Sequence, residues 1–576
     1  MSRHRSASDP GGGQAAPGTS PEANRGPAGR RGLALATVLL AVLIVSMDNS
    51  ILNVALKTLA EPKPTGLGAT ESQLQWAVDS YVLAFAGLLL SAGVVGNRVG
   101  HKRLLFIGLV LFAGFSALCA FAQNPGQLIA TRAALGLSAA IIMPATLAIV
   151  TNVFPGQARA KAIGIWSAVV GAAVALGPIV AGSLLEHFWW GSVFLVNVPV
   201  VAVALAAMTV LIPEFRENEQ RRLDPTGIVL SAAGLVAVVY GVIRAGDLDN
   251  WASPEVYLTM AGGFVLLAAF VIWERRTADP ALDVRYFGDR GFTASAIALG
   301  TLYFALFGAT FVLTFYLQSV RGYSAFRAGL SVLPLAAALI AFGPRAPVLV
   351  RKFGARAVST AGMLITTLTM LGLAALQRTT AIWEFEVILF VFGTGLAFVL
   401  PPTVAQIVAT LPEDQAGTSS AVNNTFRQVG GSIGTAVLGS ILATLYRGRI
   451  DPSLSFLPTG ARGQAESSIT ATLHVLQVAG KGALPLALTA ENAFMHAMHI
   501  TWLVAAIVVF AGSVIVWVVF PADPASATAG QRQAAGRHTA QASSRAAQSD
   551  IPLVGAVGAE QAEDGAGPVG RPSLSV

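Results

Sequence analysis

The sequence predicts an all-α protein that crosses a membrane many times. Three observations carry that prediction. Only 12% of the 576 residues are charged and 54% are hydrophobic, whereas a soluble domain carries about 25% charged residues. Apolar runs of about 20 residues recur along the chain, each long enough to cross a hydrocarbon core of about 30 Å. The chain holds 59 Gly, a residue more frequent in membrane helices than in soluble ones.

Fourteen candidate spans follow in order. The first six are 33–56, 74–96, 103–122, 127–153, 160–185 and 190–212. A pair at 225–244 and 255–273 comes next, and six more follow at 293–318, 326–349, 357–376, 383–410, 416–445 and 498–520. Residues 1–31 and 522–576 lack apolar residues to bury and are expected to be disordered tails. The first apolar stretch is too long for a signal-peptide core and has no small-residue cleavage site after it, so it reads as the first span.

Charge sets the topology. Arg3, Arg5, Arg25, Arg30 and Arg31 precede the first span, and alternate loops hold Arg98, Lys102 and Arg103; Arg159 and Lys161; Arg216, Arg221 and Arg222; Arg275, Arg276, Arg285 and Arg290; and Arg351, Lys352 and Arg356. Most of the opposite loops hold none to two basic residues, which puts both tails on the cytoplasmic side. The 446–497 loop dissents with Arg447, Arg449, Arg462 and Lys481, but long loops follow the rule poorly. The same placement accounts for the net charge of +7 without nucleic acid. The single cysteine, Cys119, cannot form an intrachain disulfide.

Ionisable groups inside spans are the candidate functional residues, because each costs about 2.5–3.5 kcal/mol to insert and is rarely idle. Asp48 interrupts the first span in "LALATVLLAVLIVSMDNSILNVAL". Asp48, Asn49 and Asn53 lie at about 0°, 100° and 140° around the helix, one side of the cylinder, which should face protein or a watery cavity. Asp48 is a candidate proton carrier or a structural acceptor. Asp79, in "WAVDSYVLAFAG", raises the same question nearer an interface marked by Trp76. Arg132, in "LIATRAALGLSAAIIMP", needs a carboxylate or carbonyl partner, and Asp48 or Asp79 would serve; the alternative is an Arg reaching for the headgroups. Arg427 in "NNTFRQVGG" is placed like Arg132 in the second half. The fifth span, "VVGAAVALGPIVAGSLLE", is rich in small residues and broken at Gly177-Pro178, either a pivot or ordinary close packing. An internal echo, "GVVGNRVGHKRLL" at 93–105 and "GPRAPVLVRKFGARAV" at 343–358, points to related halves, as in many secondary transporters.

Other classes fit less well. No filter-like loop or charge ring suggests a channel. His187, His474, His496 and His499 are scattered rather than clustered as an enzyme or metal site requires. "VAGKGALP" does not match the phosphate loop of an ATP-driven pump. No metal or cofactor is expected.

Taken together these residues resemble the major facilitator superfamily, and within it the fourteen-span drug:proton antiporters. "MDNSILNVAL" is similar to that subgroup's first-span motif through Asp48, Asn53, Ala55 and Leu56. "GVVGNRVGHK" resembles its loop motif through Gly93, Arg98, Gly100 and Lys102, with Asn97 where the family has an acid. "ATRAALG" matches through Arg132 and Gly136. "LGPIVAG" resembles the antiporter motif of the fifth span through Gly177, Pro178 and Gly182. "FLVNVP", "LDPTG" and "AGTSSAVNNTFRQVGGSIGTA" also resemble the subgroup.

The resemblance implies two six-helix bundles at 32–213 and 291–521 with two inserted helices within 214–290. It implies efflux of amphipathic or cationic compounds in exchange for protons by alternating access, in a bacterial cell membrane, by a monomer. Asp48, Asp79 and Arg132 would couple protons, and Asn53, Asn423 and Arg427 would line the substrate cavity. Gly93, Arg98, Gly100, Lys102, Gly177, Pro178 and Gly182 would support the conformational change. Export of a self-made metabolite, siderophore or lipid on the same fold remains the alternative.

Overall fold

In a computed structural model, residues 28–521 are described except 155, 213, 215–223, 249, 278–279, 281–282, 412–415, 456–458, 467 and 480–483. The expected tails at 1–27 and 522–576 therefore lie outside the described residues. The described part is helical throughout. Its first elements are α1 (Ala28–Ala60), α2 (Glu71–Val99), α3 (His101–Ala120), α4 (Pro125–Val153), α5 (Gly156–His187), the short α6 (Ser192–Leu195) and α7 (Asn197–Leu211). Then come α8 (Pro225–Leu248) and α9 (Pro254–Arg276). The remainder comprises α10 (Arg290–Phe315), α11 (Ala325–Leu330), α12 (Leu333–Phe342), α13 (Ala346–Phe353), α14 (Ala355–Ala374), α15 (Ile382–Thr410), α16 (Ala416–Ile450), α17 (Thr459–Glu466), α18 (Ile469–Ala479) and α19 (Leu484–Val519).

Every predicted span falls on one of these helices or on a broken series of them. Among the described residues, twelve stretches are both long and apolar enough to cross a membrane. The other two predicted spans fall on α2 and α5, helices of 29 and 32 residues packed among the twelve. The predicted loop at 446–497 differs. It carries α17 and α18, and α19 begins at Leu484, so the last helix is longer than its apolar core. Helix α18 is started by Ser468, whose hydroxyl accepts from the Ala471 amide at 3.0 Å.

Local chemistry explains the ends. Thr70 and Gln73 cap α2 reciprocally: the Gln73 amide donates to the Thr70 hydroxyl at 3.3 Å, and the Thr70 amide donates to the Gln73 side chain at 3.0 Å. Asn124 caps α4 ahead of Pro125. The internal echo is structural as well. Gly100 joins α2 to α3 at φ 105°, and Gly354 joins α13 to α14 at φ 83°. Each amide bonds back four residues, Gly100 to Gly96 and Gly354 to Val350, and each turns the chain directly into the next helix. Only glycine holds such a backbone without strain.

Helices α1–α7 pack on one another, as do α10–α16 and α19. The pair α8 and α9 stands apart, touching the rest mainly through α8, which lies against both α2 and α16. The two sets meet along α2 with α16 and α5 with α11. At one end of the bundle this seam is tight. A Cβ on Gly182 would overlap the Phe326 backbone, and one on Gly329 would overlap the Pro178 carbonyl. Gln318 donates to the Val54 carbonyl at 2.9 Å, and Lys57 donates to the Gln318 carbonyl at 3.2 Å.

The two junction glycines make a direct test. Gly100→Ala and Gly354→Ala should each lower stability by about 1–3 kcal/mol, the cost of a side chain in a glycine-only backbone region. Gly300→Ala, in an open position of α10, should be neutral or stabilising by up to about 1 kcal/mol. Thermal unfolding of the purified variants in detergent reads all three.

Candidate functional site: a buried ion pair beside an apolar cavity

Asp48 and Arg132 are both fully buried, and they pair directly, Arg132 Nη1 donating to Asp48 Oδ2. The arrangement around them is dense. Arg132 Nε donates to the Ala77 carbonyl at 3.1 Å. Its guanidinium lies 4.4 Å from the Tyr81 ring centroid and 5.9 Å from that of Phe194, in reach of a cation–π attraction. Tyr81 is itself fixed by donating to the Val45 carbonyl at 3.3 Å. The second carboxylate oxygen accepts from Asn197 Nδ2 at 3.1 Å. Asn197 also reaches the Ser116 hydroxyl at 2.9 Å, and Ser116 donates to the Phe194 carbonyl at 3.0 Å. Helices α1, α2, α3, α4 and α7 thus converge on one carboxylate.

The close approach depends on Gly136. A Cβ there would overlap the Tyr81 backbone of α2, so the glycine one turn beyond Arg132 lets α4 lie against α2 and brings the guanidinium inside.

Asp79 lies elsewhere. It is also fully buried on α2, but it points across the seam to the Ser432 hydroxyl of α16. Neither of its oxygens completes a hydrogen bond with a described residue. The structure therefore brings together Asp48 and Arg132 and sets Asp79 apart, at the boundary between the two helix sets.

An apolar cavity with about 60 Å³ of space for water-sized molecules, open at its mouth, lies between the sets. Ser50 and Asn53 of α1 line one wall, with Pro178 of α5. Opposite stand Leu306, Thr310, Leu313 and Thr314 of α10, Gln318, and Phe392 of α15. The sequence could not say which aromatic residues of the ninth span face inward; Phe311, Phe315 and Tyr316 are buried in helix packing, and α10 offers the cavity aliphatic and Thr side chains instead. Among the described residues the lining holds no ionisable group. Asp48 sits one helix face round from this wall. Ser50 ties α1 to α5, its hydroxyl shared between the Met47 carbonyl at 2.9 Å and the Ala173 carbonyl of α5 at 3.2 Å. A Cβ on Gly177 would overlap Ser50, so Gly177 brings α5 against the cavity wall.

The other predicted residues distribute as follows. Asn53 lines the cavity. Asn423 and Arg427 do not; Arg427 lies 4.7 Å from the Tyr303 ring centroid and donates to Asn424 at 3.3 Å. Gly182 is at the α5–α11 seam. Lys102 ties the start of α3 to the end of α7, its ammonium donating to the Thr209 carbonyl at 3.0 Å. The side chains of Asn49, Asn97 and Arg98 and the surroundings of Gly93 lie outside the described residues. Asn197 was not singled out from the sequence. Its signal was an amide inside the apolar run "FLVNVPVVAVALAAM", the same signal that marks Asp48.

The Major Facilitator Superfamily pattern matches residues 38–435. The chain is 34% identical over 503 residues to the multidrug efflux pump LfrA of Mycolicibacterium smegmatis, covering 87% of this chain and 98% of that protein. It is 33% identical over 438 residues to the methyl viologen resistance protein SmvA of Salmonella typhimurium, covering 76% and 86%. It is 32% identical over 417 residues to the tetracenomycin C resistance and export protein of Streptomyces glaucescens, covering 72% and 77%. The fold matches an inward-facing bacterial homologue of the lysosomal transporter Spinster with a TM-score of 0.60 and 17% identity, covering 87% of this chain and all of that one.

Removing one member of a buried ion pair strands the other charge, at a cost of about 3–5 kcal/mol. Asp48→Ala should therefore destabilise the protein by about that amount, and adding Arg132→Met should recover part of the loss. Thermal melts of the single and double variants measure this; equal losses added in full would deny the coupling.

Proposed function

Because this chain belongs to the Major Facilitator Superfamily, we propose on that premise that it exports amphipathic, often cationic, organic compounds in exchange for protons. The observation that carries the reading is that α1 holds both Asp48, buried and paired with Arg132, and Ser50 and Asn53, which line an apolar cavity. The cavity supplies the kind of surface that takes flat or aliphatic compounds, with a few polar groups to orient them. The relatives' names point to drugs and antibiotics as cargo. An apolar lining of this kind selects by shape and polarity, which suits a broad range of compounds. We read the chain as a monomeric carrier in the bacterial cell membrane with both tails inside, and not as an enzyme.

Asp48 is the proposed coupling acid. While ionised it is matched by Arg132 and Asn197. Adding a proton removes that match and frees Arg132 to rely on the Ala77 carbonyl and the Tyr81 ring, both already in contact. The change is transmitted through α1, which carries Asp48, Ser50 and Asn53 within two turns. Proton binding at Asp48 and compound binding in the cavity then favour different positions of α1, which is the coupling alternating access needs. Asp79, at the seam, is the second acid in this scheme. Narrow export of one self-made compound is the second reading, favoured by the likeness to the tetracenomycin C export protein.

In inside-out vesicles with a preset pH gradient, methyl viologen, puromycin and other amphipathic compounds should dissipate the gradient. Asp48→Asn at equal protein level should reduce the response at least ten-fold. A full response from that variant refutes the role of Asp48, and a response to a single compound of the panel favours the narrow exporter.

A further inference from the structure

Asp79 needs a route to water that the Asp48 cluster does not provide. Helix α2 carries one. Glu71, Gln75 and Asp79 are four residues apart and share one face of the helix, and all three are buried, at 2%, 1% and 0% exposure. That face lies on α16. Gln75 rests in the space left by Gly439, where a Cβ would overlap its amide, and Asp79 meets Ser432.

Glu71, at the end, lines a small cavity with Gln75, Ser440 and Arg447, with Ile243 and Ala443 also on its wall. Neither Glu71 oxygen completes a hydrogen bond with a described residue, and the Gln75 carbonyl oxygen is likewise unsatisfied. Three unsatisfied acceptors aimed into such a space are what a bound water or a proton would satisfy.

We propose that Glu71 is the outer proton-binding site of this transporter, and that Glu71, Gln75 and Asp79 form the route by which protons from outside reach the seam between the two halves. This rests on the proton-coupled reading above. A proton from external water binds the Glu71 carboxylate. It leaves Glu71 through water held against the Gln75 carbonyl and arrives on the Asp79 carboxylate, so that one proton moves inward and Glu71 is again ionised. The span from Glu71 to Asp79 is about 12 Å along the helix, too long for direct transfer; the cavity covers its Glu71–Gln75 part, and water entering beyond Gln75 completes the route.

The charged and titratable groups facing Glu71 fit this use. From α16 Arg447 lies near it, held by the Gly246 carbonyl of α8 at 3.2 Å, and stabilises the ionised form after the proton has moved on. Tyr446 hydrogen-bonds Thr472 of α18 instead. From α18 it is the backbone at Ile469 that approaches. Helix α8 lines the cavity with Ile243 and Gly246, while its Arg244 bonds Glu255 of α9 at 3.1 Å. One cation already adjoins the site, which argues against a metal ion as the ligand.

The test uses the full chain in proteoliposomes with methyl viologen, or whichever compound of the panel the wild type moves. Two modes are compared: uphill transport driven by external acid, and exchange of labelled for unlabelled compound at equal pH, which needs no net proton movement. Glu71→Gln and Gln75→Leu should each cut acid-driven transport at least ten-fold and flatten its dependence on external pH, while exchange stays within two-fold of wild type. Glu71→Asp should restore much of the driven rate. Wild-type driven rates and pH profile in both variants overturn the proposal, and so does an equal fall in both modes, which marks a structural role. If Glu71→Gln does not fold, the uncharged Gln75→Leu decides by the same criteria. Wild-type protein that exchanges compound but shows no acid-driven transport overturns the proton-coupled reading itself, and the proposal with it.

Discussion

The Asp48–Arg132 pair is the constraint around which the first half of the molecule is arranged. A guanidinium that is 0% exposed must have its charge and its donors met inside the protein, because the surrounding lipid can meet neither. Its satisfaction draws on a carbonyl and a ring of α2, a carboxylate of α1, and, through that carboxylate, the amide of Asn197 on α7. Arg132 Nη2 and the Asn197 side-chain oxygen already lack a partner among the described residues, and displacing any one of these helices would strip a further buried polar group of its own. The pair thereby ties α1, α2, α4 and α7 to one another within the first half.

The boundary with the second half is made of different material. Gly182 and Gly329 bring backbones of α5 and α11 into contact, and within the second half Gly430 and Gly434 of α16 do the same against Gly300 and Phe304 of α10. Between membrane helices, where burial of apolar surface gives no advantage over lipid, close packing of small residues supplies the attraction. Such contacts lack directional bonds and can part and re-form. Among the described residues, the Lys57–Gln318–Val54 links and the Glu71–Gln75–Asp79 face are polar exceptions at the seam.

How far the sequence reaches depends on what sets each feature. Helices that cross a membrane are written locally, as apolar runs of sufficient length, and each of the fourteen runs falls on a helix. Asp48 and Arg132 were legible as residues because each contradicts its apolar surroundings. Which acid Arg132 takes was not, since helical periodicity orders residues around one axis and says nothing of which helix lies opposite; α2 turns Ala77 and Tyr81 toward Arg132 and Asp79 toward α16, which leaves the pairing to Asp48 of α1. The same limit hid the seam. The spacing of Glu71, Gln75 and Asp79 is visible in "ESQLQWAVD", but its meaning depends on Gly439 and Ser432, more than 350 residues on. Arg427 shows the converse: it resembles Arg132 in sequence context, yet it meets Tyr303 and Asn424 rather than an acid. The helices α17 and α18 were passed over because neither carries an apolar run long enough to register.

The inserted pair α8 and α9 bears on the same seam. Helix α8 touches both sides of it, in two different ways. Toward α16 it offers carbonyls: Val242 accepts from Ser440 at 3.0 Å, and Gly246 accepts from Thr444 at 3.4 Å and from Arg447 at 3.2 Å. Toward α2 it offers surfaces: the Tyr240 ring lies 6.2 Å from that of Trp76, and Ala232 packs on Gly87. Hydrogen bonds in a membrane interior resist rupture because no water replaces them, whereas apolar surfaces can exchange protein for lipid. Helix α8 is thus tied to the second half by hydrogen bonds and, among these contacts, to the first by packing alone, and it walls the Glu71 cavity through Ile243 and Gly246.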